Sequence, residues 1–410
     1  MAEAVEESGR PGAYRWVIFA LVVLAYMGIG LPFFAPASLL PLVIEAYDID
    51  RASAGLLMGG PSLVQAVLTV PSSILAARLG IGRTFTVGLL LLATQALVPF
   101  TAGFYQLLVV RLALGAGAAI VMPLAGALLH RWFSRGPMPL LTGLSFTSIA
   151  IGNGLGLLTA VPLAEMVGWK VSLGVYGLLA VVVLLLWMAL GQGKEERATA
   201  PSIPFGDIFQ VIRDPKTLFI GLAIVGPWGA STALISWLPS FYYEVRQVSL
   251  GEAGTRVSMA LLATIPVTFV ASVLVTRVGL RKPFMIVPGL VMGLSGLGTF
   301  LLAAPSAAFV SFLVFYSCNR LSTPAVLAVP SELPGMTSER VGVVWGVAFA
   351  MGASFAFVSP PLIGLIRDLT GSFIPGLAFG ALIAFSLALA GLLLPETGPR
   401  ARRKMALAKS

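Results

Sequence analysis

Arg111 and Arg320 are the ionisable side chains that fall well inside the long apolar runs of this chain. A charge at the centre of an apolar helix costs about 2.5 to 3.5 kcal/mol to place there, so each calls for compensation. None of the 17 Asp and Glu residues lies at comparable depth; Glu45, Glu165, Glu244 and Glu332 come nearest, at the ends of runs. A guanidinium with no carboxylate beside it, in a cavity that admits water, is suited to an anion: its fork of N–H donors matches carboxylate, nitrate-like or phosphate groups. Arg111 lies only about 10 Å into its run at 1.5 Å per residue, so helix-end carbonyls or an aqueous vestibule are an alternative, structural use for it. Arg320 lies about two turns deeper, near the middle of its run.

Tyr316 precedes Arg320 by four residues and shares its helix face, with Asn319 adjacent, so charge, hydrogen bond and aromatic wall come together. The single His130 stands at the end of a run beside Arg131, where a loop role fits better than proton transfer. Cys318 has no partner, which rules out a disulfide framework or a cysteine metal cluster and leaves it as a packing residue. No His and carboxylate cluster, nucleophile elbow or phosphate-binding glycine loop occurs at a plausible place. The expectation is therefore no enzyme, no metal and no cofactor.

These residues need elements to position them, and composition says which. With 58% hydrophobic and 10% charged residues over 410 positions, and a mean hydropathy of +0.96, the chain has too little polar surface for a soluble fold. Spans of about 20 residues cross roughly 30 Å of hydrocarbon. They fall near 16–44, 53–77, 84–101, 104–129, 138–164, 169–190, 215–243, 253–276, 284–303, 306–331, 341–366 and 372–394. The predicted organisation is an N-terminal six-helix bundle (1–190), a polar linker (191–214), a C-terminal six-helix bundle (215–394) and a basic tail (395–410). The class is all-α integral membrane.

A duplication supports two halves. SILAARLGIGR (Ser73–Arg83) returns 199 residues later as SVLVTRVGLRK (Ser272–Lys282), each ending an apolar run with a basic turn. Placing both termini in the cytoplasm puts most of the 26 Lys and Arg on that side and leaves Arg51, Lys170, Arg246, Arg256 and Arg367 outside. The acidic N-terminus (Glu3, Glu6, Glu7) is not a signal-peptide n-region, so the first run reads as a retained span. LPETG (Leu394–Gly398) follows its hydrophobic segment rather than preceding one, so it reads as a helix exit and not a sortase signal. The net charge of +9 is scattered through short loops rather than gathered on one face, which argues against nucleic acid.

Glycine and proline are dense within the spans. Gly55 and Gly59, the cluster Gly152, Gly154 and Gly156 around Asn153, the run Gly289, Gly293, Gly296, and the pair Gly376 and Gly380 can make flat packing faces, the fifth-span cluster also a sliding surface between halves. Pro32, Pro36 and Pro41, and the pair Pro360 and Pro361, predict kinks. Trp237, Tyr242 and Tyr243 read as an interfacial belt.

The repeated turn resembles the loop motif of the major facilitator superfamily. Leu75, Arg78, Gly80 and Arg83 match it, as do Leu274, Arg277, Gly279, Arg281 and Lys282 in the second copy. Ala77 and Thr276 stand where that family has an aspartate, so a latch built on these two loops is expected to depend on basic groups and helix ends alone. Arg111, Gly115 and Gly117 resemble the family's fourth-helix motif, and Gly168, Trp169 and Lys170 and the Pro395–Thr397 triplet are family-like. SWLPSFYYE (Ser236–Glu244), SPPLIG and RDLTGS look most similar to the cyanate and nitroimidazole carriers.

The resemblance implies alternating access between two bundles, with spans one, four, seven and ten lining the cavity, which adds Tyr26 and Trp228 to Arg111, Arg320, Asn319 and Tyr316 as candidate substrate-binding residues. It also implies a conformational latch at Arg78, Gly80, Arg83, Arg277, Gly279, Arg281 and Lys282. Expected partners are a small anionic substrate and the lipid bilayer, no nucleic acid, and no second copy. The expected process is uniport or anion exchange, or symport through Glu45 or Glu165, in the cytoplasmic membrane. Export of lipophilic drugs, and a transporter fold kept as a sensor or scaffold, are the competing readings.

Overall fold

The computed structural model describes residues 12, 14–134, 137–191 and 213–401, so most of the expected linker and the end of the basic tail lie outside the described residues. Among the described residues, twelve helices are long and apolar enough to span a membrane: Tyr14–Ser38, Arg51–Thr69, Ile81–Phe100, Phe104–Trp132, Leu140–Val167, Trp169–Leu190, Pro215–Glu244, Leu250–Val278, Pro283–Leu301, Pro305–Glu332, Arg340–Thr370 and Ile374–Leu393. They are numbered here as the first to twelfth spans.

Within the first six spans the most extensively packed pairs are one with five, two with four, three with four, three with six and one with six. Adding six to each number gives the pairs of the second half: seven with eleven, eight with ten, nine with ten, nine with twelve and seven with twelve. The contacts that join the halves, span two against eleven and five against eight, exchange under the same operation. The duplication seen in the two basic turns thus extends to the main packing of the helices.

An even number of spans puts Tyr14 and Leu393 at one face, the terminal face; the opposite face is called distal. The halves meet toward the distal face. A Cβ on Gly55 would lie 2.6 Å from the Cα of Pro361, Gly59 abuts the backbone of Phe357, and Gly364 abuts Arg51 and Ala52. Gly154 of the fifth-span cluster lies against Leu262 across the other seam, while Gly152 and Gly156 pack within their own half on Gly30 and Leu31. Nearer the terminal face the same helices show exposed apolar side chains, Val67 at 61% and Val270 at 62% among them.

The prolines shape the helices as their chemistry requires, since each removes one N–H from the i to i−4 ladder. The first span ends its α-helix at Phe34, tightens into a 3-10 turn over Ala35–Ser38, and resumes as a short helix Leu40–Tyr47. The eleventh helix, Ser338–Thr370, runs unbroken through Pro360 and Pro361. Pro123 leaves the carbonyl of Ala119 without a helical donor, and the Ser72 hydroxyl supplies one at 3.0 Å. Trp237 and Tyr242 are not an interfacial belt. Both are buried, their polar atoms donating to the carbonyls of Pro360 and Thr299 at 2.8 Å each, and only Tyr243 of the three is exposed.

Candidate functional site

The seventh span carries Gly226-Pro227-Trp228-Gly229 at its centre. Pro227 cannot donate, and the helix answers with a single wide π turn over Gly226–Ala230 between α-helical stretches. Such a turn frees carbonyls. Asn319 of the tenth span meets one of them: its amide nitrogen donates to the carbonyl of Pro227 and to the hydroxyl of Ser231, both at 2.8 Å. The amide therefore binds span ten to the turn that presents Trp228. Across from Trp228 stands Phe349 of the eleventh span, edge to face at 6.2 Å between ring centroids, and Phe349 stacks in turn on Trp345 at 5.2 Å.

Arg320, next to Asn319, lies over the ring of Tyr316 at 4.9 Å, and its Nη2 donates to the Tyr316 hydroxyl at 3.2 Å. Its Nε is buried and has no acceptor among the described residues. Tyr316 itself is buried. The structure thus groups Tyr316, Asn319 and Arg320 on the tenth span and ties Asn319 to the turn that carries Trp228, whose ring packs toward the eleventh span. The arrangement offers N–H donors from a cation held over the ring and hydroxyl of Tyr316, a neutral rather than acidic neighbour.

Arg111 is elsewhere and otherwise occupied. It is 2% exposed, and its Nε, Nη1 and Nη2 donate to the carbonyls of Leu57 (3.0 Å), Pro32 (2.6 Å) and Phe33 (2.8 Å). Two of these are carbonyls that Pro61 and Pro36 cannot reach for want of an N–H. The structural alternative for this residue is what the geometry describes. Tyr26 is also withdrawn, 4% exposed, its hydroxyl donating to the carbonyl of Met122 at 2.9 Å and its ring edge to face with Phe146 at 5.6 Å.

The two basic turns have the expected glycines for a steric reason. Gly80 has φ +89° and Gly279 φ +65°, conformations a side chain resists. In the first copy Arg78 and Arg83 are exposed. In the second copy Arg277 is exposed, while Arg281 is drawn inward and does not act without an acid. Its Nε and Nη2 fork onto Glu332 at 3.0 and 2.6 Å. Glu396 caps the start of the ninth helix, accepting from the backbone N–H of Arg281 (2.8 Å) and Lys282 (3.0 Å), and Thr397 donates to Glu332 at 2.9 Å. The expectation of basic groups and helix ends alone fails for this copy, because carboxylates distant in sequence replace the one missing from the loop. The Glu332 hydrogen bonds hold the Arg281 guanidinium above its ordinary pKa despite its burial.

Sequence reasoning missed Ser231 and Phe349 of the aromatic site and the far-face charges described below. The Gly226-Pro227 pair in mid-span was the signal available for the former.

Twelve spanning helices in two halves that repeat each other's packing define a membrane transporter of the two-bundle type. The chain belongs to the Major Facilitator Superfamily, whose family model matches residues 18–395. It is 23% identical to the 2-nitroimidazole transporter of Escherichia coli (strain K12), over 93% of this chain and 96% of that protein. It is 24% identical to the cyanate transport protein CynX of the same organism, over 90% and 94%. Among solved structures it resembles a bacterial homolog of the human lysosomal transporter Spinster in an inward-facing, unoccupied conformation, with TM-score 0.70 and 17% identity over 92% of this chain and 94% of that one. Family membership makes the protein a multi-pass secondary transporter and not an enzyme.

Proposed function

We propose that this transporter moves a small organic or inorganic anion across the cytoplasmic membrane by alternating access, with Arg320 as the anion-binding group. The observation that carries this reading is the state of Arg320: a mid-span cation that, among the described residues, meets a neutral phenol as its acceptor and has none for its buried Nε. A half-buried guanidinium with an unused buried donor is stabilised by a ligand that brings both charge and acceptors. Asn319 sets the π turn, Tyr316 orients the guanidinium and Trp228 forms a wall. Arg111 and Tyr26 are left as supports of the first bundle. The names of the relatives, a cyanate transport protein and a nitroimidazole transporter, agree with a small, electron-rich cargo.

The distribution of Lys and Arg favours both termini in the cytoplasm. The closed distal face is then the outer one and the described conformation faces inward. With a fixed cation and no mid-span carboxylate, uniport or anion exchange is the coupling that fits.

The test is a thermal-shift panel on the purified protein, comparing cyanate, nitrite, nitrate, phosphate and small carboxylates with lipophilic cations, followed by transport of any hit in proteoliposomes. Ligands that bind the native state raise its melting temperature by mass action. Anion shifts that vanish in Arg320→Ala are expected. Shifts from cations alone, or anion shifts untouched by that change, would replace this reading with drug export or another site.

A further inference from the structure

We infer that Arg51, Glu244, Arg367 and Asp368 form a clasp that holds the distal face shut, and that its rupture is the step that opens this face. Arg51, the first residue of the second span, donates from Nη2 to Glu244 at 2.9 Å and from Nη1 to Asp368 at 3.4 Å. Arg367 reaches the same Glu244 oxygen at 3.6 Å. Asp368 does a second thing: its other oxygen accepts from the backbone N–H groups of Arg51 (2.9 Å) and Ala52 (3.3 Å).

That second contact explains the placement. The first N–H groups of any helix lack an internal acceptor. The helix's own N-cap, Asp50, takes only the N–H of Ser53. Those of Arg51 and Ala52 are met by a carboxylate from the other half of the molecule, where it also faces the positive end of the helix dipole. Phe373 lies under both arginines, 5.9 Å from Arg51 and 5.1 Å from Arg367, and shields one side of the cluster from water.

Arg51 alone belongs to the first half; Glu244, Arg367 and Asp368 belong to the second. Separating the halves at this face therefore breaks the Arg51 ion pairs and the Asp368 cap in one movement, so the contacts act as a unit. Closed, the cluster is neutral. Opened, it leaves one positive charge on the first half and a net negative charge on the second, which draws the halves together again. Salt weakens that attraction, the Debye length falling from about 10 Å at 0.1 M to about 3 Å at 1 M. None of this depends on what the transporter carries.

The experiment measures distances across the distal face by paired spin labels in the full-length protein. Tyr105→Cys and Leu302→Cys, both at exposed distal helix ends in opposite halves, are introduced with Cys318→Ala. Glu244→Gln and Asp368→Asn should each raise the long-distance population about fivefold, the factor that corresponds to loss of one well-placed ion pair. Raising salt from about 0.1 M to about 1 M should shift the same distances in the native sequence and much less in Asp368→Asn. Arg256→Gln, which breaks a distal ion pair made within one helix (2.6 Å to Glu252), should change nothing. Unchanged distances in both clasp variants overturn the proposal. Should a variant fold poorly, the salt series on the native sequence decides alone, and its failure to move the distances overturns the proposal equally.

Discussion

Arg111 donates from Nη1 to the carbonyl of Pro32 at 2.6 Å, and this is the carbonyl that Pro36, four residues on, has no N–H to meet. Its Nε does the same for Leu57, left open by Pro61, at 3.0 Å. One buried guanidinium thus repairs two helices and ties the fourth span to the break in the first. The compensation it needs comes from backbone dipoles, with no ligand involved.

A clean separation of roles follows for the two mid-span arginines. Arg111→Ala removes the donor from the two buried carbonyls that prolines leave open, those of Pro32 and Leu57, and should destabilise the protein by about 2–4 kcal/mol, while any anion-induced rise in melting temperature persists. Arg320→Ala should do the reverse, changing the ligand-free melting temperature little and abolishing the anion effect. Thermal melts of both variants with and without the best anion decide it. An Arg111 variant of native stability that had lost the anion response would reverse the assignment.

Asn319 should matter through the π turn. Asn319→Leu removes the donor to Pro227 and Ser231, both at 2.8 Å, at a cost of about 1–3 kcal/mol for the buried carbonyl left open. With the turn free to relax, Trp228 moves relative to Arg320, so anion affinity should fall while Asn319→Gln, which keeps an amide on a longer stem, recovers part of it. Equal affinity in native protein and Asn319→Leu, from titration of the melting temperature against anion, would show that the turn holds its shape without the amide.

How much of this was legible in the sequence depends on the distance over which a residue finds its partner. The spans and their division into two repeating halves are local patterns written twice, and so could be read from the apolar runs and from Ser73–Arg83 and Ser272–Lys282. Arg320 with Tyr316 and Asn319 is a same-helix relationship, again local. The use of Arg111 was half legible: Pro36 and Pro61 announce which carbonyls go unpaired, but nothing in the chain says which donor will arrive. Arg51 with Asp368, 317 residues apart, and Arg281 with Glu332 and Glu396 are fixed only by the packing of distant helices. Trp237 and Tyr242 misled for a related reason, since an aromatic near a span end looks alike whether it faces lipid or a neighbouring helix.

Asp50 provides a pH test outside the membrane. Its carboxylate accepts from Ser53 at 2.7 Å, and those hydrogen bonds hold its pKa below the ordinary 3.8. A carboxylate whose pKa is lowered by folding contributes stability that is present above 3.8 and lost as pH falls through its lower, folded value. Asp50→Ala should therefore cost about 1 kcal/mol at neutral pH, as loss of a cap does. The gap to the native protein should close under acid and stay constant from neutral to alkaline pH. Denaturation at several pH values tests this; a gap that widened on acidification would mean that Asp50 acts through something other than its cap.

The glycines at the seam between spans two and eleven make the strongest steric prediction. Gly55 and Gly59 face the backbone of Pro360, Pro361 and Phe357, which cannot rotate away as a side chain could. A methyl group there has to push the helices apart at the distal face, an overpacking cost of about 1–3 kcal/mol that falls on the closed state alone. The open state lacks the contact and is spared. Gly55→Ala and Gly59→Ala should therefore raise the distal-open population by a factor of about 5 to 150, read by the same spin-label pair. Gly82→Ala and Gly126→Ala, whose added methyl would meet nothing within 4 Å, should leave it alone. Because the seam and the charge clasp close the same face by different forces, Gly55→Ala combined with Asp368→Asn should open it further than either. A double variant no more open than Gly55→Ala would mean that the clasp contributes only when the seam is fully closed, making the helix contact the primary barrier and the ion pairs dependent on it.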